Sequence, residues 1–136
     1  MWFWIWISLL WAAPVESPIA LAAKLASDGN KDRALSVLQQ VDEAKLGKEA
    51  ALYRSTLGLI ALQQHKYADA LVDFKRALAL IEEGQEGPES TLLHLYIGQC
   101  HLKMGNPQLA LESLQKADQE KASTHILTIQ AHRDLA

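Results

Sequence analysis

The sequence predicts an all-α protein, a short α-solenoid of three helix–turn–helix repeats followed by a C-terminal capping helix. Strong helix formers dominate the chain, chiefly Ala, Leu, Gln, Lys and Glu. One pattern of small and large apolar residues occurs three times, which is the signature of stacked helical units. The seven glycines and four prolines are few and fall mostly between the apolar stretches, where turns are expected.

The chain opens with an uncharged apolar segment, residues 1–14, which contains all four tryptophans. Residues 1–13 are a short run for a bilayer span, which needs about 20 apolar residues, but they suit the apolar part of a signal peptide. The basic flank of a signal peptide is missing, because the first Lys or Arg is Lys24. Four interpretations stay open: an inefficiently cut signal peptide, an uncleaved anchor, a helix packed on the repeats, or a misassigned start of the coding sequence.

Among these we expect membrane targeting or anchoring, with possible membrane contact through residues 1–13. The protein is then membrane-associated, periplasmic or secreted. It is cytoplasmic if the segment is not a targeting signal.

The internal repeat consists of three positions with fixed spacing. A small residue lies twelve residues before an alanine, and a larger apolar residue lies four residues after that alanine. The small residue lets the second helix approach the first closely, and the large residue fills the space between them. The pattern therefore predicts three pairs of antiparallel helices. The copies are Ala22, Ala34 and Leu38; Gly58, Ala70 and Phe74; and Gly98, Ala110 and Leu114.

Helix boundaries are also marked in the sequence. Ser17 is expected to cap the first helix, with Pro18 as its first residue. Gly29 and Gly105 are expected to end the first helix of their pairs in a left-handed conformation. The second copy has His65 at this place, which is a weaker turn signal.

These residues resemble the tetratricopeptide repeat. The second copy, residues 57–80, matches the family's pattern most closely, with its small residue, turn aromatic, alanines and phenylalanine. The third copy, residues 97–117, is nearly as good, and the first, residues 18–41, is degenerate.

The resemblance implies a right-handed α-solenoid over residues 15–122, with units at about residues 15–48, 51–84 and 91–122. Residues 123–136 are then expected to form a helix that covers the exposed end of the solenoid. A truncated fourth repeat is the alternative.

For binding, the resemblance points to the first helix of each unit, because these helices line the concave face in this family. The face is expected to be apolar, and exposed apolar patches are typical of partner sites. A helical or extended apolar segment of another protein or peptide would fit there. From the second and third units, the residues placed on this face are Leu52, Ser55, Leu59, Leu62, Gln63, Leu92, Leu95, Gln99, Leu102 and Lys103, and from the first unit Ile19, Ala23 and Ala26.

An alternative interpretation has some of these leucines in the core, or covered by the protein's own N-terminus or by another copy. The chain is then a structural, self-assembling component and a possible homo-oligomer.

No group of residues indicates catalysis, a metal or a cofactor. His94 and His101 are seven residues apart, or about 10 Å along a helix, which is too far to share one ion. The single cysteine, Cys100, cannot form an internal disulfide and has no suitably placed histidine partner. The net charge of −3 does not favour nucleic acid. The sequence therefore predicts a protein-binding module or scaffold and not an enzyme.

Overall fold

The computed structural model describes residues 17–120 and 132–135 of the chain. These residues are helical or lie in turns and connections, with no strand among them, and residues 132–135 are helical and exposed. The predicted N-terminal segment, residues 1–14, and most of the predicted capping helix, residues 123–136, lie outside the described residues. The α-helices are α1 (Pro18–Ser27), α2 (Lys31–Gln39), α3 (Ala50–Gln63), α4 (Tyr67–Glu82), α5 (Ser90–Lys103) and α6 (Pro107–Glu120).

The six helices pack as three successive pairs, α1 with α2, α3 with α4, and α5 with α6. Between pairs, α1 packs on α3, and α4 packs on α5. Direct contact between α3 and α5 is slight, so these two helices leave a gap on their shared side. The all-α solenoid of helix pairs predicted from the sequence is confirmed.

Each pair interlocks through the small and large residues of the repeat. A Cβ atom added to Gly58 would lie 2.8 Å from the ring of Phe74, and one added to Gly98 would lie 2.8 Å from the side chain of Leu114. Both distances are shorter than a normal carbon–carbon contact of about 3.5–4.0 Å. Phe74 and Leu114 are fully buried. The absence of a side chain at the two glycines is therefore what lets the paired helices approach.

The three turns inside the pairs have the same backbone geometry. Gly29, His65 and Gly105 have positive φ angles of 85°, 60° and 77°. In the second turn the amide of Lys66 donates to the carbonyl of Ala61 at 2.8 Å, and equivalent bonds close the other two turns. This is the hydrogen-bonding pattern of a helix that ends in a left-handed residue. His65 thus takes a conformation that the sequence signalled only weakly.

The start of α1 follows the prediction. Ser17 is the N-cap residue, and its hydroxyl accepts a hydrogen bond from the amide of Ala20 at 3.1 Å. Pro18 is the first helical residue, where its missing amide hydrogen costs no hydrogen bond.

The connections between units are tied to α3. The stretch from α2 to α3 contains two short 3₁₀ helices, Glu43–Lys45 and Gly47–Glu49. Arg54 of α3 forms ion pairs with Glu43 in the first of these and with Asp73 of α4.

No helix in the described part of the chain is long and apolar enough to cross a membrane.

Candidate functional site

A cleft opens on the side of the solenoid where α3 and α5 diverge. It holds about 510 Å³ of empty space, including the part that is open to solvent. The first helix of every unit contributes to its walls, which are Ala23 and Ser27 of α1, Leu52, Ser55, Thr56 and Leu59 of α3, Pro88 before α5, and Leu92, Leu93 and Tyr96 of α5.

The cleft is lined by apolar side chains at different depths. Leu93 is fully buried at its base, whereas Leu52 and Leu59 on α3 are half-buried. Leu92 on α5 is 40% exposed. A cleft that gathers several partly exposed large apolar side chains is a candidate partner site, because contiguous exposed apolar surface is typical of such sites.

The aromatic ring in the cleft is held by the core beneath it. Tyr96 stacks on Phe74, with ring centroids 5.0 Å apart and an interplanar angle of 17°. Burial raises the pKa of the Tyr96 hydroxyl above its ordinary value, so the side chain stays uncharged at neutral pH. The repeat core therefore fixes the position of one wall of the cleft.

The two cleft hydroxyls on α3 are already engaged within that helix. The hydroxyls of Ser55 and Thr56 both donate to the carbonyl of Leu52, at 2.9 and 2.7 Å. No residue that lines the cleft carries a formal charge at neutral pH. A bound segment therefore needs no charge of its own to match the lining.

The structure brings together part of the predicted concave face. Leu52, Ser55, Leu59 and Leu92 line the cleft, and Ala23 joins them from the first unit. The other residues predicted for the second and third units are not part of the cleft lining; they are Leu62, Gln63, Leu95, Gln99, Leu102 and Lys103.

Three of the predicted positions have a structural role in the described fold. The amide Nε2 of Gln63 donates to the carbonyl of Ala26 at 2.7 Å, which links α3 to the end of α1. Ile19 and Ala26, expected on the concave face, are instead buried in the core between the first two units. These two residues flank Ala22 on one face of α1, and α1 lies directly against α3, so that face is used for packing.

Sequence reasoning missed Ser27, Thr56, Pro88, Leu93 and Tyr96 as cleft residues. Leu93 and Tyr96 belong to the apolar residues that recur along α5. This pattern does not indicate which side of the helix stays uncovered in the fold. That depends on the gap between α3 and α5, for which the sequence carries no local signal.

The remaining candidate groups do not form a chemical site among the described residues. No three His, Cys, Asp or Glu side chains of this part of the chain are grouped to hold a metal ion. Cys100 is fully buried, and burial raises the pKa of its thiol to about 11. The thiol is therefore protonated at neutral pH and is a poor nucleophile.

His101 is buried in the third unit. Its Nδ1 atom has no hydrogen-bond partner. Burial lowers the pKa of this imidazole, and the positive charge of Lys75 lowers it further, whereas Glu112 acts in the opposite direction. The ring is therefore neutral in the folded protein at pH 7.

Comparison with known proteins supports the repeat architecture. A family model of the tetratricopeptide repeat matches residues 48–117, slightly more than half of the chain. The match covers the second and third helix pairs and stops short of the degenerate first pair. Comparison with curated proteins and with solved structures gives no match. The matched residues and the interlocked helix pairs agree, and the chain belongs to the tetratricopeptide repeat family.

Proposed function

We propose that this protein binds an apolar segment of a partner protein. The binding surface is the cleft lined by the first helix of each pair, α1, α3 and α5. Tetratricopeptide repeats are protein–protein interaction modules, and family membership supports this general role. The identity of the bound surface and the apolar character of the partner are the parts that go beyond the family.

The observation that carries the proposal is the uncharged apolar lining of the cleft. Leu52, Leu59, Leu92 and Tyr96 line it, and the hydroxyls of Ser55 and Thr56 donate within α3. Burying this surface against an apolar side chain stabilises a complex by about 25 cal/mol per Å² of apolar area. A charged segment would lose its hydration in the cleft without gaining a partner of opposite charge.

The test is a selection of peptides from a random displayed library against the full chain. Peptides rich in Leu, Ile, Phe or Trp are expected to be enriched. The variant Leu92→Glu places a carboxylate in the cleft at a position that is already 40% exposed, so the fold should tolerate it. The matched control is Val72→Glu, because Val72 is 66% exposed on α4 and does not line the cleft.

The proposal predicts that Leu92→Glu abolishes binding of the enriched peptides while Val72→Glu leaves it unchanged. Enrichment of mainly charged peptides, or equal binding by both variants, would show that the cleft is not the apolar binding surface. Circular dichroism of each variant checks that the helical fold is kept.

Membrane attachment through residues 1–13 and assembly with further copies also stay proposals. Cell fractionation with sequencing of the mature N-terminus tests attachment and cleavage together. Sedimentation of the full chain at micromolar concentration tests self-assembly, and a strict monomer would exclude it.

A further inference from the structure

In the absence of a partner, we infer that the apolar N-terminal segment of the same chain, residues 1–13, occupies the cleft. The inference rests on the proposed function, since it assumes that the cleft takes an apolar segment. It adds that the first such segment is the chain's own, and that a partner must displace it.

The first argument is chemical complementarity. Residues 1–13 contain no charged side chain and include Trp2, Trp4, Trp6 and Trp11. The lining of the cleft is likewise uncharged and carries leucine and tyrosine side chains. The other end of the chain is less suitable, because residues 121–136 include charged Lys, Arg and Asp side chains.

The second argument is reach. The segment runs into α1, whose later residues Ala23 and Ser27 form one wall of the cleft. Ala23 lies about 8 Å along the helix axis from Pro18, given a rise of about 1.5 Å per residue. The sixteen residues before Ser17 span at most roughly 55 Å when fully extended. The segment is therefore long enough to fold back over α1 and enter the cleft.

The third argument concerns the competition with other occupants. A tethered segment is present at an effective concentration in the millimolar range for a short flexible link. A second copy or an external peptide at micromolar concentration meets the cleft far less often. The cleft is thus occupied by the N-terminal segment of its own chain before it is occupied by another molecule.

The tryptophans supply the experiment, because all four lie in residues 1–13 and none in the rest of the chain. The fluorescence of the full chain in lipid-free buffer therefore reports on this segment alone. The inference predicts blue-shifted emission and weak quenching by acrylamide. Leu92→Glu should shift the emission to longer wavelength and increase the quenching, whereas the control Val72→Glu should leave both unchanged.

A second cleft variant, Ser27→Arg, guards against a folding defect in the first. Ser27 is an exposed residue at the end of α1, where a positive charge is favourable to the helix. Its longer side chain should crowd the cleft and release the tryptophans without unfolding the repeats, which circular dichroism verifies.

Three results would overturn the inference. The wild-type tryptophans could emit as solvent-exposed residues, or they could be buried yet insensitive to both cleft variants. Emission that shifts on dilution would place the segment in the cleft of another copy. None of these results removes the proposed function, whose test is binding of an external peptide. A selected peptide without tryptophan should in turn shift the emission to longer wavelength as it displaces the segment.

Discussion

Replacing Gly58 by alanine tests the interlock on which the repeat architecture depends. The new methyl group would lie 2.8 Å from Cδ1 and Cε1 of Phe74, about 1 Å inside a normal contact. The ring cannot move aside easily, since it is fully buried and stacks on Tyr96. One of the two groups, or the spacing of α3 and α4, must therefore change.

Two opposing effects set the magnitude. Adding a methyl group to a well-packed core costs about 1–3 kcal/mol, and the rigid ring of Phe74 favours the upper part of this range. Alanine in place of glycine inside a helix returns about 1 kcal/mol. The free energy of unfolding should therefore fall by about 1–2 kcal/mol, and the thermal midpoint by roughly 4 °C for each kcal/mol.

Urea unfolding of the full chain, followed by circular dichroism, measures this change. The control is the same substitution in a Phe74→Leu background, where the smaller side chain leaves room for the methyl group. Gly58→Ala should cost much less there, with a coupling energy of about 1 kcal/mol or more in the double-mutant cycle. Strictly additive effects, or a Gly58→Ala variant more stable than the wild type, would refute the tight contact.

Three further predictions concern single features of the repeats. His65→Gly should raise the free energy of unfolding by less than about 1 kcal/mol, because the relief of strain at a φ of 60° is partly offset by loss of the hydrogen bond between His65 Nδ1 and the Tyr67 hydroxyl and by the greater freedom of glycine in the unfolded chain; a lower urea midpoint would contradict this. Gln85→Ala should lower it by about 1 kcal/mol and increase hydrogen exchange at the Ala51 amide, since the Gln85 side chain accepts from that amide at 3.1 Å; unchanged exchange would show that this cap is unimportant. The free energy of unfolding should also fall as the pH drops below about 6.5, because the pKa of buried His101 is lower in the folded than in the unfolded state and protons then favour unfolding. The variant His101→Leu should show a weaker pH dependence between pH 7.5 and 5.5, and an identical profile would assign the effect to other groups.

Much of the fold could be predicted because each repeat has a small residue and a large apolar residue at a fixed spacing in the sequence. Gly58 with Phe74, and Gly98 with Leu114, are recognisable in the sequence at a fixed spacing and are in contact in the structure. The turn at His65 illustrates the limit. Its left-handed backbone follows from its place in the repeat, because such a conformation is uncommon outside glycine even though histidine adopts it more often than most residues.

The cleft was less predictable than the fold. The resemblance to the repeat family placed Leu52, Leu59 and Leu92 on the concave face of the first helices of their units, and these residues line the cleft. Its depth depends on how far α3 and α5 separate, which decides whether Leu93 and Tyr96 are part of the cleft lining or wholly covered. That separation is a property of whole helices packed on α4, and no local pattern encodes it.

The most direct test of the cleft as the binding surface is nuclear magnetic resonance of the full chain with labelled leucine and valine methyl groups. An enriched apolar peptide is added in steps while the methyl signals are followed. We expect the largest chemical-shift changes at Leu52, Leu59 and Leu92. The methyl signals of Val72 on α4 and Leu109 on α6 should stay unchanged. Shifts centred on Val72 or Leu109, with the cleft leucines unaffected, would contradict the account.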